Sequence, residues 1–316
     1  MRFFSKAKKK DGWLTIAFLG DGICVGSVRR VRDAKVAIDV AAFYPAETSS
    51  HSPEILEKLN RELRGGSYRC ATLLADGEYQ LLSVDAPNVP REELKTAVRW
   101  RLKDMLDFHV DDATIDVLDI PGDQNGGNQR GNAMFAVAAR NSLLEARQQL
   151  FTEAKMHLRV IDIPEMAQRN ISALLEPEGR GLALLSFNHA GGMLTVTFKG
   201  ELYLSRRIDV TLGQLLEPDT DRQQVCFDKI ALELQRSLDH FDRQFHFISV
   251  SKLLLAPTGA PGMHEYLASN LYMPVEAMEL GDVFDLSNMP ELQDMEQQPR
   301  YFLTLGAALR DEEVRS

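Results

Sequence analysis

Gly20-Asp21-Gly22 opens like the glycine fingerprint of a dinucleotide site, but Val25 stands where the third glycine should be and the residues after it read as a strand. Ser237-Leu238-Asp239-His240 holds the residue types of a catalytic triad on a predicted helix, yet no G-x-S-x-G elbow is present to expose a nucleophile. No G-x-x-x-x-G-K-[ST] phosphate loop and no H-E-x-x-H metal motif occurs. The seven histidines are scattered. His240 and His246, six apart on a predicted helix, point to different faces and share no metal. Asp111-Asp112 reads as a solvated turn. Cys24, Cys70 and Cys226 are odd in number and far apart, with no C-x-x-C pair, which argues against both a disulfide framework and a zinc site. The sequence presents no complete catalytic constellation.

Composition narrows the field further. A chain of 316 residues suggests two domains, and 44% hydrophobic residues are enough for a real core. A net charge of −10 excludes a general affinity for nucleic-acid phosphates. The one basic run is Arg2, Lys6, Lys8, Lys9 and Lys10 around Phe3 and Phe4. It is either a patch that grazes an anionic membrane surface or a solvated terminus. No stretch reaches the ~18 apolar residues of a membrane span, and Lys10-Asp11-Gly12 interrupts any signal-peptide core. The expected location is the cytoplasm.

The elements that would carry a site repeat. Trp13–Leu19, Ile23–Val28 and Val36–Val40 read as three strands, with an Asp-Gly turn between the first two. Ser52-Pro53-Glu54 opens an amphipathic helix with Ile55, Leu56, Leu59 and Leu63 at helical spacing. Gly65-Gly66 stops it before the strand Ala71–Ala75. About 170 residues later the order recurs: Leu182–Phe187, Met193–Phe198 and Glu201–Ile208 are strands. A long helix follows with Val225, Ile230, Leu234, Leu238 and Phe241 on one face, then the strand Lys252–Ala256. This predicts a duplicated α/β domain; chance repetition of a common unit is the competing reading. Between the copies lies an inserted module. Its helix runs from Pro90 to Leu106 with Leu94, Ala97, Val98, Leu102, Met105 and Leu106 as its apolar stripe, and its strands are Thr114–Leu118 and Ala133–Ala138. Asp123–Arg130 is a polar, Gly-rich loop, and a further helix spans Ser142–Met156.

Several segments resemble one family. Ala97-Val98-Arg99-Trp100-Arg101 with Leu106-Asp107-Phe108 is similar to the "AIRWE…IPF" helix of the PilM family of type IV pilus assembly proteins. Val137-Ala138-Ala139-Arg140, Ala154-Lys155-Met156 and Val160-Ile161-Asp162-Ile163-Pro164 resemble its "ar…AGL…vD" segment. Lys199-Gly200 with Ser205-Arg206-Arg207-Ile208 looks like its second-lobe strand, and Leu305-Gly306-Ala307-Ala308-Leu309-Arg310 like its "lGLAlR" close. The matches run in order over nearly the whole chain. The nearest likeness is to the branch serving mannose-sensitive haemagglutinin pilus biogenesis. The resemblance implies the two-lobed, ribonuclease H-like α/β fold of actin and FtsA. Its first lobe would span 1–175 with an inserted α+β subdomain at about 85–140, and its second lobe 176–300. Residues 301–316 would return to the first lobe.

That fold binds ATP between its lobes. The resemblance implies a nucleotide cleft lined by Gly20, Asp21 and Gly22, by Gly191 and Gly192, and by Gly259 in the remnant of an adenosine loop, Thr258–Met263. The sequence departs from the family's acid residues: Ala17 stands where the first lobe should carry a carboxylate, Leu19 replaces the glycine, Cys24 the lysine, and Ser186 the second carboxylate. Mg²⁺ needs anionic oxygen partners that alanine and serine do not supply. The expectation is therefore a non-hydrolysing scaffold without a required cofactor. The implied partner is the N-terminal cytoplasmic tail of a single-span inner-membrane pilus assembly protein, with the assembly ATPase as a second. The rival is an ATP-binding switch held by backbone N–H groups of Gly20–Gly22 and Asn188–Gly192. A sugar or acid kinase lacks a visible base, and a membrane-spanning secretion relative lacks the span. Trp100 is not needed by the apolar stripe of its helix. It either anchors a partner or packs on the sheet ending at Val117 and Leu118.

Overall fold

The computed structural model describes residues 12–32, 34–45, 52–122 and 133–311. Runs of β-branched and apolar residues form β1 (Trp13–Leu19), β2 (Gly22–Arg29) and β3 (Val36–Pro45), an antiparallel meander. Helix α1 (Pro53–Leu63) is opened by Ser52, whose hydroxyl accepts from the Ile55 amide, with Pro53 in the first turn. It leads to β4 (Arg69–Leu73), which pairs parallel to β1. The inserted module follows: β5 (Tyr79–Asp85), α2 (Leu94–Leu102), β6 (Ala113–Asp119) and β7 (Ala133–Arg140), with strand order β5-β7-β6. Helix α3 (Asn141–Glu153) returns the chain to β8 (Leu158–Asp162), parallel to β4.

Helix α4 (Pro164–Leu175) leads into the second half. There β9 (Gly181–Phe187), β10 (Gly192–Phe198) and β11 (Glu201–Ile208) form a second meander. The short α5 (Leu212–Leu215) and the long α6 (Thr220–Gln244) carry the chain to β12 (Val250–Leu255). Then come α7 (Met263–Asn270), β13 (Val275–Ala277), β14 (Phe284–Asp285) and α8 (Gln298–Ala308). The second sheet has the order β11-β10-β9-β12-β13. The first has β3-β2-β1-β4-β8, with β14 added at its edge. The two orders coincide, and so do the parallel and antiparallel senses, so the architecture is duplicated.

Alternation decides what each sheet face covers. Leu14, Ile16 and Phe18 of β1 face α1 and α3, against Leu56, Leu59 and Phe151. Ala17, Cys24 and Leu73 face the other way, into a cluster with Ala167 and Ile171 of α4, Phe302 and Leu305 of α8, and Leu182, Leu184 and Leu254 of the second sheet. Helices α4 and α8 are thus enclosed between the two sheets. The outer face of the second sheet packs on α6 through Ile230, Leu234, Leu238 and Phe241. Where α4 and α8 cross, only glycine fits: a Cβ on Gly306 would lie 2.4 Å from the Ala167 carbonyl oxygen. No helix among the described residues is long and apolar enough to cross a membrane.

Several expectations need correction. The insert's sheet begins at Tyr79 and not near 85, because β5 pairs with β7, more than fifty residues later. β14 joins the first sheet although it comes from the second half; two residues are too short for any periodicity. α2 is shorter than Pro90–Leu106, since Arg91–Glu93 form a 3₁₀ turn. Val225 does not share the face of Ile230: five residues turn a helix by about 500°, and Val225 is exposed. Met105 is likewise exposed, and His246 lies beyond the end of α6. The basic run from Arg2 to Lys10 and the loop Asp123–Arg130 lie outside the described residues.

Candidate functional site

The two meander turns sit at equivalent places in the two sheets, and each has its own partners. In the first, Gly22 is required by the approach of β3: a Cβ there would lie 2.3 Å from the Tyr44 carbonyl oxygen and 2.7 Å from the Phe43 ring. Gly20 is open, with nothing within 4 Å of an added Cβ. The Asp21 carboxylate accepts from Arg300 of α8 at 2.9 Å, and that guanidinium lies 3.9 Å from the Phe43 ring centroid. In the second turn, Asn188 Oδ1 accepts from the Ala190 and Gly191 amides at 2.8 and 3.1 Å. These are two of the donors an anion would need. Gly191 and Gly192 are required by the nearness of the Ile208 carbonyl and the Phe187 ring, at 2.9 and 2.5 Å from an added Cβ.

Behind the second turn the chemistry is neutral. Ser186 is buried and donates to Gln168 Oε1 at 2.5 Å. The Gln168 amide donates in turn to the carbonyls of Leu184 and Met193 and to Thr195 Oγ1. In the first lobe Ala17 is buried in the cluster against α8, and burial pushes the neighbouring Cys24 thiol up to about 12. Asp162, at the end of β8, is a buried carboxylate that the sequence reading did not place in the site. It lies beside Leu73, which pairs with Ala17. Its oxygens are taken by the Ile163 amide at 2.9 Å and by Arg310 at 2.6 Å. Its position at a strand end, next to a helix N-terminus, was the available signal. In the third loop Gly259 and Gly262 adopt left-handed φ values of 67° and 75°, and Thr258 Oγ1 accepts from the Ala260 amide.

No family model matches this chain, and no curated protein matches it. Solved structures do. The chain superposes on a PilM–PilN type IV pilus biogenesis complex with a TM-score of 0.73 at 17% identity, covering 96% of this chain and 98% of that one. The fold is actin-like. A Bacteroides thetaiotaomicron protein described as having an actin-like ATPase fold matches with a TM-score of 0.51 and 11% identity, over 93% and 99% of the two chains. The cytoplasmic domain of EpsL, an inner-membrane component of the type II secretion system of Vibrio cholerae, matches at 0.50 and 12%, over 96% and 97%.

An actin-like cleft suits a metal–nucleotide pair when it offers acid oxygens and free backbone donors. The residues present do not fit that need. Ala17 and Ser186 carry no charge, the Ala190 and Gly191 amides are occupied by Asn188, and Asp21 and Asp162 are each paired with an arginine. Among the described residues no three His, Cys, Asp or Glu side chains are grouped to hold a metal ion.

The inserted module offers a different kind of surface. Helix α2 is held by Val98 and Leu102 against Ile115, Met134 and Ala136. Arg99 donates to the carbonyls of Val110 and Ala113 at 2.6 and 2.8 Å, and Arg101 to that of Asp85 at 2.7 Å. Trp100, between them, is 72% exposed. Two helical steps separate it from both Val98 and Leu102, about 200° of rotation, so it faces away from the sheet. The reading in which the ring packs on Val117 and Leu118 therefore falls.

Proposed function

We propose that this chain is a cytoplasmic scaffold of a type IV pilus assembly machine, of the mannose-sensitive haemagglutinin kind, that docks the N-terminal cytoplasmic tail of a single-span inner-membrane assembly protein and turns over no ATP. The observation that carries the reading is the chain-long likeness to the PilM–PilN complex structure. The uncharged Ala17 and Ser186, with Asp21 and Asp162 each paired with an arginine, support the absence of turnover. Trp100 supplies the anchor: an indole buries a large area at little cost in rotamer entropy, and its helix is already held by other residues. The net charge of −10 would steer a basic juxtamembrane tail towards the chain. The assembly ATPase is a second partner in this reading.

Crosslinking in cells followed by purification of the chain should bring down an inner-membrane pilus protein. Trp100→Ala should leave melting nearly unchanged while weakening that capture by at least ~2 kcal/mol. Recovery of no membrane protein would overturn the scaffold reading. The switch reading keeps two supporting observations, the open Gly20 and the left-handed Gly259 in the third loop. Calorimetry with Mg-ATP decides it: no heat of binding supports the scaffold, and micromolar binding supports the switch. In that second case the melting temperature would also rise with ATP, because a ligand stabilises by RT ln(1 + [L]/Kd).

A further inference from the structure

Arg207 leaves β11 and enters the turn at which the inserted module starts. Its Nη1 pairs with Asp76, its Nη2 donates to the Tyr79 hydroxyl at 2.5 Å, and Glu165 Oε1 lies 3.6 Å away. The Tyr79 hydroxyl donates in turn to Glu165 Oε2 at 2.6 Å. Three parts of the molecule meet here: the second lobe through β11, the helix between the halves through the first turn of α4, and the insert through the turn before β5. Glu165 is 1% exposed, and Tyr79 is buried. On the opposite side of the same turn, Glu78 pairs with Arg147 of α3 at 2.8 Å, and Glu78 Oε2 accepts from the Ala75 amide. The root of the insert is therefore gripped from both lobes.

Burying a charge such as that of Glu165 is costly, and well-packed apolar residues often give equal stability, so stability alone does not account for the cluster. Its geometry does something an apolar contact cannot: it holds one orientation through directed bonds to a single guanidinium. An apolar seam runs alongside, in which Ile120 and Phe135 of the insert join the buried cluster of the second lobe. That seam is non-directional and tolerates sliding.

We infer that Asp76, Tyr79, Glu165 and Arg207 form a latch that fixes the inserted module against the second lobe. The orientation of the module's exposed face is thereby coupled to the position of β11. Closing the latch sets both; opening it frees the module about its root while leaving the two five-stranded cores intact. The inference concerns coupling within the chain and does not depend on what the module binds.

Hydrogen–deuterium exchange on the full chain tests it. Arg207→Met keeps the apolar stem and removes the guanidinium; Tyr79→Phe keeps the ring and removes the hydroxyl. Each should speed exchange at least tenfold in β5, β7 and β11, with β1, β9 and β12 unchanged. Combining them should add less than twofold, because either substitution opens the same unit. Unchanged exchange, a uniform rise that includes β1 and β9, or fully multiplicative effects would each overturn the latch. Asp76→Asn covers the case in which the Tyr79 and Arg207 variants fail to fold. Asp76 lies at the half-exposed margin of the cluster, and its substitution should give a threefold local effect confined to the same strands. No local effect there would count against the latch.

Discussion

The turns at Gly20–Asp21 and at Asn188–Gly191 are topological equivalents, each joining the first two strands of a five-stranded unit, and they are held in different ways. The first is held from outside, by Arg300 of a helix that arrives from the far end of the chain. The second is held from within, by an asparagine that bonds to its own loop. Behind the first stand alanine and an inert buried thiol; behind the second stands a neutral network around Gln168. In the first lobe the nearby carboxylates, Asp21 and Asp162, are each paired with an arginine; behind the second turn the bonded groups are Ser186, Gln168 and Thr195. The strand order is the same in both units, while the loops satisfy their polar groups in different ways.

The contrast can be broken at graded cost. The largest effect should come from the helix that serves the first turn. Gly306→Ala places a Cβ against the Ala167 carbonyl and should destabilise the chain by about 3 kcal/mol in urea unfolding, with bulkier residues preventing folding. Next is the core of the second turn. Gln168→Leu strips hydrogen bonds from buried Ser186 and Thr195 and should cost about 2 kcal/mol. If it proves neutral, the network is ornamental and the second turn is no better anchored than the first. A direct comparison comes third. Asn188→Ala should cost about 1 kcal/mol, whereas Asp21→Ala, which removes a part-exposed ion pair, should cost less. Equal losses would erase the distinction between the inner and the outer hold.

The smallest effect is a slope with pH. Burial raises the Glu165 carboxyl above its ordinary 4.5, opposed by Tyr79 and Arg207 and reinforced by Asp76. Between 4.5 and that raised value the folded chain binds more protons at this group than the unfolded chain does, so this contribution to stability falls as pH rises through the window. Glu165→Gln should remove that slope, and an unaltered profile would show that the group is not perturbed.

What the sequence determined by itself is local. The apolar runs Trp13–Leu19 and Leu182–Phe187, each followed by turn residues and a second strand, made the duplicated meanders legible, because a strand's character is set by its immediate neighbours. Helical spacing of apolar residues marked α1, α6 and the helix of the inserted module. The missing acid residues at Ala17 and Ser186 could be read only by holding the sequence against a family pattern. Tertiary structure alone decided the rest. The pairs Asp21–Arg300, Asp162–Arg310 and Tyr79–Arg207 span 279, 148 and 128 residues, and nothing near either member announces the other. Gly306 looked like an ordinary helical glycine until α4 was laid across it. Whether the Trp100 ring packed on the module's sheet or stood free was decided by its exposure in the folded chain. A single sequence encodes the period of each element, but the partner of a charge or of a close contact depends on which elements meet, and that is settled only by packing the whole chain.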